Sequence, residues 1–234
     1  MPSEAPIGFG LMCKPPRPGT AKTRLAAAIG PDRAARLARA FLEDCAAAAV
    51  AAARLQRLDR AAFFRPADAA TEIGAILGPG WPLEFADAGD LGATMRDVLA
   101  RLLQRSPGGA IIMGADVPLI TGEAIAAAAR SLREGNDRRI VLIPSVDGGY
   151  CLIGVRSLEA AASLFAPMPW STSGVLRETL SRADAAGLTV QMLPPQRDID
   201  EAADLDWLRA SLASGDAPAA FTRAALAGMA EARP

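Results

Sequence analysis

Short apolar runs alternate along the whole chain with longer stretches whose apolar positions recur at helical spacing, and this order predicts a layered α/β protein. Residues 7–12 form a first apolar run suited to a buried strand. From 31 to about 55, Leu37, Phe41, Cys45 and Ala48 repeat at helical spacing, and Pro31 suits a first helical turn. Residues 61–64 read as a second short strand and 69–77 as a short helix, and Gly78-Pro79-Gly80-Trp81-Pro82 is a firm break. Beyond it the pattern predicts a strand at 83–85 and a helix at 91–104, with Leu91, Met95, Val98 and Leu102 on one face. Strands follow at 110–113 and 140–143, around a helix at 121–133. The rest reads as strand 151–155, helix 158–165, helix 172–186 capped by Ser171 or Thr172, strand 188–193 and helix 202–212. Such alternation argues for an open, mostly parallel sheet with helices on both faces. No Pro/Gly/Ser-rich linker divides the chain, so 1–213 is read as one domain and the Ala-rich 214–234 as a peripheral helix or tail.

Composition narrows the function classes. At 234 residues the chain is long enough for a substantial core. A formal net charge of −1 gives no basic excess of the kind a nucleic-acid binder carries. No apolar run approaches the ~20 residues of a membrane span, and no signal peptide is visible. Cys13, Cys45 and Cys151 are odd in number and widely separated, and read as reduced thiols of a cytoplasmic protein. There is no histidine. Ser-His-Asp and Cys-His centres are therefore excluded, and so is any metal site that relies on imidazole. Oxygen ligands remain, which suit Mg²⁺ or Mn²⁺.

The first apolar run ends in a basic, glycine-broken loop, Lys14-Pro15-Pro16-Arg17-Pro18-Gly19-Thr20-Ala21-Lys22-Thr23-Arg24. A loop between strand and helix can aim backbone N–H groups and cationic side chains at one bound anion. It is not a Walker A loop, because that motif needs Gly directly before its Lys, and no Gly-x-Gly-x-x-Gly is present either. A solvated turn stiffened by prolines is the structural alternative.

In an open α/β sheet ligands bind beyond the carboxyl ends of the strands. Three such places carry carboxylates: Asp116 in Gly114-Ala115-Asp116-Val117-Pro118, Asp147 in Asp147-Gly148-Gly149-Tyr150, and Asp198 and Asp200 in Arg197-Asp198-Ile199-Asp200-Glu201. Each has a plainer reading. Asp116 can be a turn former before the helix at 121, Asp147-Gly148-Gly149 a hairpin turn, and Asp198 and Asp200 helix N-terminal charges. Together with the basic loop they make one edge with cations for phosphate and carboxylates for a divalent metal.

These motifs appear in a fixed order: Lys14-x-Pro16-x-Pro18-Gly19-x-x-Lys22-Thr23-Arg24-Leu25, Asp90-Leu91-Gly92-x-x-Met95, Gly114-x-Asp116-x-Pro118, and Asp147-Gly148-Gly149-Tyr150-x-Leu152-x-Gly154. Trp170-Ser171-Thr172 and Asp198-x-Asp200-x-x-x-Asp204-Leu205 complete the series. The set resembles the DUF2064 family of bacterial glycosyltransferase-A-like proteins. It is similar, more distantly, to 2-phospho-L-lactate guanylyltransferase and to molybdenum-cofactor nucleotidyltransferases. The resemblance runs from about Gly8 to Leu208. It implies a Rossmann-like nucleotide-diphospho-sugar transferase fold, a mixed sheet with one antiparallel strand. It also implies a catalytic and metal-binding Asp116, a second metal carboxylate from Asp198 or Asp200, and a catalytic Lys22. Donor contacts are implied from Lys14, Gly19, Lys22, Thr23, Arg24, Asp90 and Gly92. Asp147, Gly148, Gly149, Tyr150, Trp170, Ser171 and Thr172 would line the acceptor pocket. This chain departs from its relatives at Ile143-Pro144-Ser145, Thr94 and Cys151, which bears on pocket shape more than on metal binding.

The expected reaction is metal-dependent transfer from a nucleotide donor to a small phosphate- or carboxylate-bearing acceptor. With a triphosphate donor, attack falls on the α-phosphorus and pyrophosphate leaves. With a nucleotide sugar it falls on the anomeric carbon and a nucleoside diphosphate leaves. The basic loop leans towards the first, the family's usual label towards the second, and a silent nucleotide-binding module is the third reading. Trp81, Trp170 and Trp207 are candidates for stacking on a base, with packing as the alternative.

Overall fold

The computed structural model describes residues 5–170, 172–213, 215 and 217–231. Its strands are β1 (Ile7–Cys13), β2 (Leu58–Phe64), β3 (Leu83–Phe85), β4 (Ala110–Gly114), β5 (Arg139–Pro144), β6 (Tyr150–Val155) and β7 (Thr189–Met192). They form one sheet in the order β3-β2-β1-β4-β6-β5-β7. Parallel pairing joins β1 to β2 and β4, β2 to β3, and β5 to β7. β6 alone runs against its neighbours, wedged between β4 and β5. The expected mostly parallel mixed sheet with one antiparallel strand is therefore what forms.

The helices are α1 (Thr23–Ile29), α2 (Pro31–Leu55), α3 (Ala70–Leu77), α4 (Leu91–Arg105), α5 (Gly122–Glu134), α6 (Leu158–Leu164), α7 (Val175–Ala185), α8 (Ala202–Ala213) and α9 (Ala220–Glu231). Side chains alternate across a strand, so Ile7, Phe9, Leu11 and Cys13 face one side, where they pack in one buried cluster with Cys45, Ala49 and Ala52 of α2 and Ile125 and Leu132 of α5. On the other side Phe63, Ile112 and Leu142 pack with Val98, Leu99 and Leu102 of α4 and Leu164 of α6. Gly8 lets α4 approach β1: a Cβ there would lie 2.9 Å from Leu102 Cβ. A third cluster joins Leu25 of α1, Leu37 and Phe41 of α2, and Leu205, Leu208 and Leu212 of α8.

The Ala-rich end carries α9, whose Met229 reaches this third cluster. It is anchored from a distance. Asp44, buried in α2, accepts the backbone N–H of Phe221 at 3.0 Å and of Thr222 at 2.9 Å, and the Thr222 hydroxyl at 2.6 Å. A carboxylate from another helix thus satisfies the open N–H groups of the first α9 turn.

Three expectations are corrected. Residues 23–29 form α1 and are not an extension of the loop; Gly30, at φ +88°, separates it from α2. Its sequence buries only Leu25, too little to show a helical period. The helix expected from 172 begins at Val175, with Gly174 in the cap position and no capping side chain. Thr172 instead donates its hydroxyl to the Pro169 carbonyl at 2.9 Å. Ser171, the other expected cap, lies outside the described residues, as do 214, 216 and 232–234 of the C-terminal segment. β2 also starts earlier than expected, at Leu58, because polar Asp59 and Arg60 hide its first turn of alternation. No helix among the described residues is long and apolar enough to cross a membrane.

Candidate functional site

The carboxyl ends of β1, β4, β5 and β7 and the start of β6 lie along one edge of the sheet. Backbone hydrogen bonds tie their loops together. Gln196 N–H donates to Pro144 O at 2.9 Å and Val146 N–H to Gln196 O at 3.2 Å, which extends the β5 pairing past the strand. Ile199 N–H donates to Asp116 O at 3.0 Å. Because Ile199 is buried, the Asp198–Asp200 segment is pinned beside the loop that carries Asp116.

Lys22 stands at the meeting point. Its backbone is left-handed (φ 48°, ψ 52°), a strained conformation for a residue with a Cβ, and it directly precedes α1. Its ammonium lies 2.9 Å from Asp116 Oδ1 and 2.8 Å from Asp200 Oδ1, with the lysine side chain 5% exposed and the carboxylates 55% and 45% exposed. Burial alone would lower the Lys22 pKa, but the charges and hydrogen bonds of the two carboxylates together outweigh it and raise the pKa. The ammonium is therefore firmly charged.

The other cations of the loop separate. Arg17 turns away to Glu72 (2.9 Å) and Asp68 (3.1 Å), so it braces the loop against α3 and the turn before it. Arg24, at the outer rim, lies 3.6 Å from Glu201. Lys14 is exposed and has no ion pair among the described residues. Thr23 is the exposed first residue of α1, and Gly19, at φ +80°, forms the turn before it.

Asp198 does not join the Lys22 group. It accepts a 2.5 Å hydrogen bond from Ser145 Oγ, and burial, with Asp147 and Asp200 nearby, raises its pKa despite that bond. Asp147 accepts the Gly149 N–H at 2.9 Å within the β5–β6 hairpin, so the plainer reading as a hairpin turn is also realised. Gly148 sits at φ +93° against the segment before α7; a Cβ there would lie 2.3 Å from Ser173 O. Leu176 N–H donates to Gly148 O at 3.0 Å, which docks the hairpin on α7. Tyr150 starts β6 beside Thr179, and burial pushes its hydroxyl pKa up to about 12.

Farther along the edge, Asp90 caps α4 by accepting the Ala93 N–H at 2.8 Å. Gly92, in the first turn of α4, lies under the Trp170 indole. Trp170 stacks on Phe165 with ring centroids 6.1 Å apart. Trp81 is buried against Arg60, and Trp207 carries Arg197 5.0 Å over its ring. Trp81 and Trp170 are thus engaged in packing, whereas Trp207 is exposed on α8. The three cysteines are unpaired, and burial pushes the thiols of Cys13 and Cys151 up to about 12 and that of Cys45 higher still, so none is poised as a nucleophile.

Among the described residues no group of three or more His, Cys, Asp and Glu side chains is arranged around one metal position. The two carboxylates that do converge, Asp116 and Asp200, are both half-exposed. Mg²⁺ commonly takes one or two protein carboxylates and completes its shell with water and substrate phosphates. This donor set fits such an ion.

Two residues to which the sequence assigned no role, Ser145 and Asp204, shape the edge. Ser145, a departure from relatives, holds Asp198. Asp204 accepts the N–H groups of Asp200 (3.2 Å) and Glu201 (3.0 Å), and pairs with Arg197 at 3.0 Å. An acid at the third position of a helix was the available signal for that reach-back.

The fold has solved counterparts. A protein from Desulfovibrio desulfuricans G20, classed as a nucleotide-diphospho-sugar transferase, superposes with a TM-score of 0.82 at 27% identity over 96% of each chain. A cytidylyltransferase from Leptospira borgpetersenii matches with a TM-score of 0.59 at 12% identity, over 97% of this chain and 94% of its own. A 4-diphosphocytidyl-2C-methyl-D-erythritol synthase from Anaerococcus prevotii matches with a TM-score of 0.54 at 12% identity, over 88% and 98%. At 12% identity the likeness is one of fold. Among curated proteins no match was found. Residues 45–172, more than half of the chain, match the profile described as "Uncharacterized protein conserved in bacteria (DUF2064)", and the chain belongs to this DUF2064 family.

Proposed function

We propose that this protein is a metal-dependent transferase acting on a nucleotide donor. Its first reading is nucleotidyl transfer from a nucleoside triphosphate to a small phosphate- or carboxylate-bearing acceptor, with release of pyrophosphate. The observation that carries the proposal is the buried Lys22 ammonium held between Asp116 and Asp200 at the strand ends. Open α/β sheets bind ligands at that edge. A cation and two half-exposed carboxylates there match the charge of a phosphate–metal complex.

Asp116 and Asp200 would hold Mg²⁺ or Mn²⁺, which when bound neutralises charge on donor phosphate oxygens. Lys22 supplies a further positive charge for those phosphates, and exposed Lys14 lies on the same loop. The Asp147–Gly149 hairpin offers the acceptor a backbone wall docked on α7. Histidine is absent, so an acceptor proton leaves to a carboxylate or to water. Phosphoryl chemistry of this kind relies mainly on positioning and electrostatics, and needs no imidazole base.

Glycosyl transfer from a nucleotide sugar is the second reading, favoured by the class of the Desulfovibrio protein. A thermal-shift and calorimetric panel of GTP, ATP, CTP, UTP and common nucleotide sugars, each with and without Mg²⁺, separates the two. A ligand that binds only the folded state raises its melting temperature. Mg²⁺-dependent stabilisation by one triphosphate, lost in Asp116→Ala, is the expected result. Selective stabilisation by a nucleotide sugar moves the assignment to glycosyl transfer. No response to any donor favours a silent module over both.

A further inference from the structure

We propose that the Lys22 ammonium is a built-in counter-ion. It occupies the place between Asp116 and Asp200 that a divalent cation takes, so an entering cation must displace it, and donor phosphates that offer it another anion make that exchange easier. Cation and donor are then bound together, and each binds weakly alone. This inference rests on the reading of Asp116 and Asp200 as cation ligands.

The geometry sets up competition. Nζ contacts Oδ1 of Asp116 at 2.9 Å and Oδ1 of Asp200 at 2.8 Å, and the lysine is far more buried than either partner. Two positive centres at those distances from the same oxygens repel strongly where water is scarce. One must leave, and the ammonium has a flexible stem. The residue type agrees: of 25 lysines and arginines, only Lys14 and Lys22 are lysine. An ammonium is a compact point charge that can be handed between anions, whereas a guanidinium locks to carboxylates in a planar fork. The coupling is reciprocal, since whatever draws Lys22 away frees the carboxylates, and whatever neutralises the carboxylates frees Lys22.

The test measures Mn²⁺ binding, by calorimetry and by the paramagnetic resonance of the free ion. It compares the wild-type protein, Lys22→Met and Lys22→Met/Asp116→Ala, all without nucleotide. Lys22→Met is expected to bind Mn²⁺ about tenfold or more tightly than wild type, the order produced by removing a unit charge from the site. The gain should vanish in the double variant. Equal affinity in wild type and Lys22→Met overturns the counter-ion and leaves the two carboxylates as ligands. Absence of Mn²⁺ binding in all three overturns the ligand assignment, and the inference with it.

A second measurement needs no variant. In amine acylation read by mass spectrometry, exposed Lys14 is the internal reference. Lys22 should react several-fold faster, relative to Lys14, in saturating Mn²⁺ than in metal-free protein. An unchanged ratio overturns the proposal.

Discussion

Gly92 lies so closely under Trp170 that a Cβ at this position would stand 2.4 Å from the indole Cζ2. The missing side chain lets the Trp170 segment close over the start of α4, where the indole also stacks on Phe165. Gly92→Ala must therefore push the indole off its stack. Overpacking of this kind costs about 1–3 kcal/mol, more than alanine's better helix propensity returns. Urea denaturation should show that loss, and an unchanged midpoint would mean that the indole moves freely.

Tyr150 is the only tyrosine in the chain, so phenolate absorbance reads it alone. Its folded pKa is about 12 against an ordinary 10.0. The unfolded chain loses this proton first. Stability is therefore full below pH 10 and falls as pH rises from there through the folded value, by about 1–3 kcal/mol. An alkaline titration of the native protein should have its phenolate midpoint near 12, shifting to about 10 in denaturant. Tyr150→Phe should remove this component of the alkaline loss of stability.

Asp44→Ala should release α9. Two backbone N–H groups and one hydroxyl lose their carboxylate acceptor, and the apolar contact of Met229 weakens with them. A loss of about 1–3 kcal/mol is expected. Hydrogen exchange at Phe221 and Thr222 should accelerate well before exchange in the sheet does.

Asp198 and Asp200 sit two residues apart and should behave differently in turnover. Asp200→Asn removes one of the two charges on Lys22 and is expected to lower metal-dependent activity ~10²-fold or more. Asp198→Asn keeps an oxygen acceptor for Ser145 and should change activity far less. Equal losses in a steady-state assay would show that both carboxylates serve the donor site.

Much of the architecture was legible in the chain because burial leaves a periodic trace. β1, α2 and the α4 face were predicted within a residue or so, since β1 is a nearly continuous buried run and the two helices bury a regular stripe; β3, which buries none of its residues, was placed by the Gly78–Pro82 break before it. α1 left no such trace, because it buries one leucine and abuts a glycine. The α7 start was misplaced because Thr172 bonds backward to Pro169, a choice made by the loop it closes. Within the site, the strand-end position of each carboxylate followed from reading what comes after each apolar run.

Which charges meet was a different matter. In sequence Lys14, Arg17, Lys22 and Arg24 are alike; in the folded chain one is exposed without an ion pair among the described residues, one braces α3, one enters the carboxylates and one sits at the rim. Sequence alone thus determined the alternation of strands and helices and the edge at which charged residues collect, because local burial and turn chemistry act over a few residues. Tertiary structure decided the partners. Lys22 and Asp200 are 178 residues apart, and only the sheet order, with β6 inserted antiparallel between β4 and β5, brings their loops to one point.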